Sequence, residues 1–272
     1  MSLHLTAAFR ELHHGSSPLL LPNPWDAGSA KILQSLGFHA LATTSSGLAS
    51  TLGRLDGAVT REETIAHAAA LVAAVSVPVS ADLVNGFADD PAGVAECVEA
   101  AVATGLAGCS IEDFTDDEGT PIYDMQLAVD RVAAAVEAAA GRLVLTARTE
   151  NYLHGAPDLA DTIARLQAFQ EVGADVLFAP GVTKSADIAA IVSEVDRPVN
   201  VLLLPGGPDV AELAELGVAR ISIGGAFAYA AIHGLVEAAT EFRDQGTTGY
   251  SRRSQLGREA ARFAFRPASP TP

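Results

Sequence analysis

EVGADVLFAP, residues 171 to 180, places a glycine between the end of an Ala-rich amphipathic stretch and a short apolar run. A glycine there supplies the left-handed C-cap that lets a helix turn directly into a buried strand. The same device recurs in SLGFHALATT (35 to 44), ATGLAGCSIED (103 to 113) and ELGVARISIGG (215 to 225). Around these junctions lie eight strand-type runs: LLLPN (19 to 23), ALATT (40 to 44), VPVSAD (77 to 82), GCSIED (108 to 113), LVLTAR (143 to 148), DVLFAP (175 to 180), VNVLLL (199 to 204) and ARISIG (219 to 224). Helical periodicity predicts helices near 27 to 36, 60 to 75, 90 to 104, 125 to 139, 157 to 172, 184 to 194, 209 to 216 and 225 to 243. Eight alternating units predict a closed (β/α)₈ barrel of the TIM type, since an open parallel sheet of that width leaves edges and reverses its strand order.

The barrel is expected to occupy residues 1 to 245 as a single domain, with a short helix at 4 to 14 closing its bottom. Residues 246 to 272 are read as a basic, helical C-terminal extension ending in a frayed tail, RPASPTP. The chain has 272 residues and a formal charge of −16, which disfavours nucleic acid and anionic membrane surfaces as partners. A small anionic substrate stays open to it where a metal ion and an arginine reverse the local sign. Cys97 and Cys109 have no zinc-ligand or CxxC spacing and are read as buried thiols. No signal-peptide or membrane-spanning pattern is present, so a cytoplasmic protein is expected.

In such barrels chemistry sits where strands end. The residues delivered there are TTSSGL after strand 2, Asp82 and Asn85 after strand 3, Glu112 and Asp113 after strand 4, and Arg148 and Glu150 after strand 5. Asn200 lies within strand 7, and Asp56 follows the second strand in TLGRLDG. Carboxylates converging from several strands suit a hard divalent cation, and an arginine among them suits the carboxylate of a small acid. Each residue also has a structural role open to it. Asp82 and Asp26 can cap helices, Glu112 and Arg148 can pair across the mouth, Asp56 suits its turn, and Asn200 can satisfy backbone groups. His154 and His233 are read as structural or surface residues.

LPNPWDAGSAKIL, ATTSSGLASTLGRLDG, VPVSADLVNGF, GCSIED, TARTENYLHG, GADVLFAPG, RPVNVL and GVARISIGG occur in the order and spacing of the isocitrate lyase and phosphoenolpyruvate mutase superfamily, which the chain resembles over roughly residues 7 to 240. It is most similar to the phosphonomutase-like branch, also called carboxyvinyl-carboxyphosphonate phosphorylmutase-like. The resemblance implies Mg²⁺, or Mn²⁺, held by Asp82 with Asp56 and Glu112. It implies a substrate carboxylate and enolate held by Ser45, by the amides of Ser46, Gly47 and Leu48, by the Ser46 hydroxyl, by Arg148 and by Asn200. It also implies a homo-oligomer, usually a tetramer with an exchanged C-terminal helix.

Two departures bear on activity. Where the family carries a second acid two residues after Asp82, this chain has Val84. Where the lyases carry a cysteine-containing loop after strand 4, it has DFTDDEGTPIYD (113 to 124), an acidic lid-like segment in which Tyr123 or Asp124 is the available proton donor. The reading favoured is a Mg²⁺-dependent lyase cleaving a carbon–carbon bond of a small 2-oxo or 2-hydroxy acid through an enolate. Phosphorus–carbon chemistry on the same site and a non-catalytic carboxylate-binding barrel are the alternatives.

Overall fold

The computed structural model describes residues 2 to 115, 117 and 119 to 266, so most of the tail segment RPASPTP lies outside it. Eight parallel strands form one sheet: β1 (Leu19–Leu21), β2 (Leu41–Ala42), β3 (Val79–Asp82), β4 (Gly108–Glu112), β5 (Val144–Arg148), β6 (Val176–Phe178), β7 (Val199–Leu202) and β8 (Arg220–Ser222). The strand order runs β2 through β8 in sequence and then β1, the order of a barrel. The expected (β/α)₈ architecture is therefore present, with strands shorter than the apolar runs that announced them.

Closure is made differently from the other joins. Between β1 and β2 the Ala42 amide donates to Pro22 O at 3.1 Å. The buried Asn23 side chain does the rest: Nδ2 donates to Thr43 O at 2.9 Å, and Oδ1 accepts from the amides of Ile223 and Gly224 at 3.1 and 3.0 Å. One asparagine thus stitches three strand ends together.

The helices are α1 (Ser2–Leu12), α2 (Ala27–Ser35), α3 (Ser45–Thr51), α4 (Arg61–Ala74), α5 (Pro91–Ala103), α6 (Met125–Ala139), α7 (Leu159–Glu171), α8 (Ser185–Glu194), α9 (Val210–Glu215), α10 (Ala226–Gln245) and α11 (Ser251–Ala264). The four junction glycines, Gly37, Gly105, Gly173 and Gly217, have φ of 93°, 85°, 105° and 81°, the left-handed caps their positions require. Asp26 caps α2, accepting from Ser29 N at 2.6 Å. Helices pack on the outside of the barrel through a core of Leu, Val and Ala that includes both cysteines. Burial pushes the Cys97 thiol up to about 11 and raises that of Cys109 further, so neither is a nucleophile at neutral pH. Among the described residues no helix is long and apolar enough to cross a membrane.

Helix α1 closes the bottom of the barrel as expected. Phe9, fully buried, enters between Leu19, Ala107, Val144 and Val176. Gly108 leaves room for it, because a Cβ there lies 2.8 Å from both the Phe9 ring and Val144 O. One turn further, His13 accepts from or donates to its surroundings through Phe9 O (2.7 Å) and Arg220 Nη1 (3.3 Å). The neighbouring guanidinium can only donate, so His13 Nε2 is the acceptor and Nδ1 carries the proton.

Burial first, then Arg220, with His14 and Arg10 adding, pushes the His13 pKa from 6.5 down to about 3, against the opposing pull of Phe9 O. The unfolded chain takes up this proton near 6.5 and the folded chain does not until about 3. Stability is therefore complete above 6.5 and is lost as pH falls through that window. Replacing His13 with Gln is expected to flatten this loss by on the order of 3 kcal/mol between pH 7 and 4. Urea unfolding of both proteins across that range measures it, and parallel pH profiles would show that His13 protonates within the fold.

Candidate active site

The C-terminal strand ends form a cavity of two chambers that meet at Ser45, Asp82 and Arg148. The outer chamber, about 750 Å³, lies under Phe114, Thr115, Leu153 and His154, and its walls carry Asp56, Asp82, Asp89, Glu112 and Glu150. The inner chamber, about 230 Å³, descends along the barrel interior past Thr43, Ser80, Ser110, Asn200 and Ser222.

Arg148 is the hub. Its Nη1 meets Asp82 Oδ1 at 2.9 Å, and its Nη2 meets Glu112 Oε2 at 3.1 Å and Glu150 Oε1 at 2.7 Å. The Phe178 ring lies 5.2 Å beneath the guanidinium. Asp82 also accepts from the Ser45 amide (3.3 Å), the Val84 amide (3.3 Å) and Ser110 Oγ (3.4 Å), which fixes both carboxylate oxygens. Burial raises the Glu112 pKa well above the usual carboxylate range. Arg148 opposes this, but the charges of Glu150, Asp82 and Asp113 add to it. Glu150 moves in the same direction, chiefly through burial. Three carboxylates face one guanidinium, so the cluster holds more negative charge than its own cation balances.

Asp56 stands apart from this cluster. It is exposed at the rim of both chambers, and its Oδ1 accepts from the Gly57 amide at 3.1 Å. The expected metal trio is thus split, with Asp82 and Glu112 joined through Arg148 and Asp56 on the turn above them. Among the described residues no three acidic, His or Cys side chains form a ready-made metal cage.

The Ser46–Gly47–Leu48 segment proves to be the first turn of α3, a helix that the Ser/Thr-rich sequence did not announce. Thr44 caps it, its Oγ1 accepting from the Gly47 amide at 3.4 Å and lying 3.1 Å from Ser46 Oγ. The Leu48 amide is committed to Thr44 O at 3.0 Å and the Ser45 amide to Asp82. The expected row of three free amides therefore reduces to the Ser46 amide and hydroxyl, because forming the helix uses the Leu48 donor and its cap uses that of Gly47.

Tyr123 is not poised as an acid. Its hydroxyl donates to Asp89 Oδ1 at 2.6 Å, its ring lies 4.1 Å from the Arg131 guanidinium, and burial first, then Asp89, pushes its pKa up to about 12. Asp124 likewise caps α6, accepting from Leu127 N at 3.1 Å. The reason is architectural. Arg131, fully buried on α6, donates to the carbonyls of Asn85, Ala88 and Asp89 and so pins the loop after β3, with Tyr123 as its lid. That loop includes Val84 at φ 45°, a strained setting for a β-branched residue, held by its carbonyl accepting from Glu112 N at 3.0 Å.

Asp113 is a second clamp. It pairs with Arg165 at 3.1 Å and accepts from the Glu150 amide at 2.8 Å, so it positions the backbone beside Arg148. Tyr123→Phe is expected to cost about 1 kcal/mol of stability through the lost hydrogen bond and to leave kcat within about twofold. A hundredfold fall in kcat at unchanged KM would restore Tyr123 as the proton donor.

The family model for phosphoenolpyruvate phosphomutase matches residues 9–243. The chain belongs to the phosphoenolpyruvate mutase family. A crystal structure from Burkholderia cenocepacia J2315, known by the general description lyase/mutase, is 47% identical, covers 99% of both chains and superposes with a TM-score of 0.94. An oxaloacetate decarboxylase of Pseudomonas paraeruginosa is 31% identical over 83% of this chain and 80% of its own. The 2-methylisocitrate lyase of Escherichia coli is 30% identical over 73% and 70%. Membership in the isocitrate lyase and phosphoenolpyruvate mutase superfamily therefore holds, with lyases among the relatives.

Proposed function

We propose that this family member is a Mg²⁺-dependent lyase that breaks a carbon–carbon bond in a small 2-oxo or 2-hydroxy carboxylic acid by way of an enolate. The observation that carries the reading is the Arg148 cluster beside the N-terminus of α3. Asp82, Glu112 and Glu150 set three carboxyl groups against one guanidinium, an excess of acids that a divalent cation would let ionise. The donors are all carboxylate oxygens, which suits a hard ion such as Mg²⁺ or Mn²⁺ that keeps several waters. Asp82, with Asp56 and Glu112, would hold it. Once bound, the ion supplies Lewis acidity toward a ketone oxygen and so favours enolate formation.

The chain's own groups do the rest. Arg148 binds the substrate carboxylate, in part by turning from Glu112. The Ser46 amide and hydroxyl face the oxygen on which negative charge develops, where fixed donors act more strongly than water does. Phe114 and Leu153 roof the outer chamber and limit water entry. With no cysteine on the loop over the site, the enolate formed on decarboxylation takes its proton from water in that chamber. The same reading includes a homo-oligomer, supported by Phe227, Leu235, Phe242, Leu256 and Phe263, which α10 and α11 leave exposed.

A thermal-shift titration with oxalate, a mimic of the pyruvate enolate, tests the site. Oxalate is expected to raise the melting temperature only when Mg²⁺ is present, by about 2–4 °C per kcal/mol of linked binding. Asp82→Ala should lose the response. Turnover of a 2-oxo acid panel that includes phosphonopyruvate then separates carbon–carbon from phosphorus–carbon chemistry. If neither Mg²⁺ nor oxalate shifts the transition of the wild type, the lyase reading falls.

A further inference from the structure

The inner chamber ends on a residue that the chemistry at Arg148 does not use. Arg220, from β8, is only 4% exposed and lines that chamber. Its Nε donates to Asn200 Oδ1 at 2.9 Å and its Nη1 to His13 Nε2 at 3.3 Å. Asn200 is itself held by Ser222, to whose Oγ its Nδ2 donates at 3.0 Å. Both acceptors of Arg220 are uncharged, since His13 stays neutral down to about pH 3. Among the described residues no carboxylate pairs with Arg220, and its Nη2 has no protein partner. Burial, and then the charge of Arg148, pushes its pKa down to about 9, which still leaves a cation at neutral pH. A buried cation without a counter-charge is costly to hold, and an anionic ligand removes that cost.

The distribution of charge between the chambers says where such an anion belongs. The outer chamber carries five carboxylates, at Asp56, Asp82, Asp89, Glu112 and Glu150, and repels a second carboxylate. The inner chamber has acids only at Asp56 and Asp82, near its mouth, and hydroxyls at Ser80, Ser110 and Ser222 below them. Its volume of about 230 Å³ equals that of about eight waters at ~30 Å³ each. A short diacid fits within that volume.

We propose that Arg220, with Asn200 and Ser222, receives a second carboxylate, so that the substrate is a short dicarboxylic acid lying along the barrel interior with its 2-oxo acid end at Arg148. The inference rests on the lyase reading above and adds the substrate class to it.

The test uses the full-length protein, with oxalate, four- and five-carbon 2-oxo diacids, and the same diacids esterified at the distal carboxylate. Wild type is expected to prefer a diacid over its distal monoester by at least about thirtyfold in kcat/KM, comparable to losing one charge-assisted contact of a bidentate kind. Arg220→Met should erase that preference while oxalate affinity in the presence of Mg²⁺ stays within about threefold. Without ligand, the variant should melt at or above the wild-type temperature, because it removes an uncompensated charge. Equal handling of diacid and monoester by the wild type would overturn the proposal, and this comparison needs no variant. So would an Arg220→Met protein that keeps the preference, or one that melts lower and loses oxalate as well, the signature of a structural arginine. Oxalate binding to the wild type without a diacid preference removes this inference alone. Absence of oxalate binding removes the lyase reading and this inference with it.

Discussion

Arg148→Met is expected to lower kcat/KM by about 10³ or more and to destabilise the fold by about 3–5 kcal/mol. The two losses have different origins. Activity falls because the guanidinium is the cation that the inner and outer chambers share, and no other residue reaches the substrate carboxylate from β5. Stability falls because Asp82, Glu112 and Glu150 lose their common partner and face one another in a buried site.

The pH dependence separates the two. Carboxylates whose folded pKa is raised favour the protonated folded form, so the variant should recover stability as pH falls through the range just above the ordinary carboxylate value. Mg²⁺ should also stabilise the variant, since it supplies the missing positive charge. Urea unfolding at several pH values, with and without Mg²⁺, measures both effects. A variant as stable as wild type at neutral pH would mean that Arg148 is not what the folded site needs to hold these carboxyl groups together.

Gly47→Val is expected to reduce kcat/KM by about a hundredfold and stability by about 1–3 kcal/mol. A Cβ at Gly47 lies 2.4 Å from Thr44 Cγ2 and 3.0 Å from Trp25 Cβ, neither of which can withdraw, since Thr44 is the cap of α3 and Trp25 its wall. The N-terminal turn must then move, carrying the Ser45 amide off Asp82 and the Ser46 donors off the reacting oxygen. The control is Gly234→Ala in the middle of α10, where an added Cβ meets nothing. That change should be neutral in activity and gain up to about 1 kcal/mol from helix propensity. Should Gly47→Val retain full kcat, the first turn of α3 has no role in the chemistry.

The strands and outer helices were legible because the sequence marks four of the helix-to-strand passages with a glycine and each strand with a compact apolar run. Superfamily membership was legible from colinear motifs, and the match to residues 9–243 bears it out. The site was legible only in part. Arg148, Asp82 and Glu112 stand at strand ends, where position alone marks them out, and the structure brings them together. Helix α3 was not legible, because Ser and Thr favour caps and turns over helix interiors and its apolar face is too short to show a period. Arg131 and Arg165 were not singled out, because a charge on a helix ordinarily faces solvent, yet both turn inward to clamp site loops. Tyr123 was singled out because a tyrosine on a lid suggests an acid, and sequence does not show its contacts with Arg131 and Asp89. Arg220 was hidden inside an apolar run, where only a structure reveals that its side chain ends in a cavity.

The stitched join between β1 and β2 has a consequence for the order in which the molecule is built. Strands β3 to β8 each pair with the strand made immediately before, so that part of the sheet can grow as the chain is synthesised. β1 cannot. Its ladder partner is β8, with Leu19 opposite Arg220, about two hundred residues later. The first strand of the chain therefore waits for the last, and barrel closure is a late, long-range step whose rate is set by loop-closure entropy more than by the stability of the pairing.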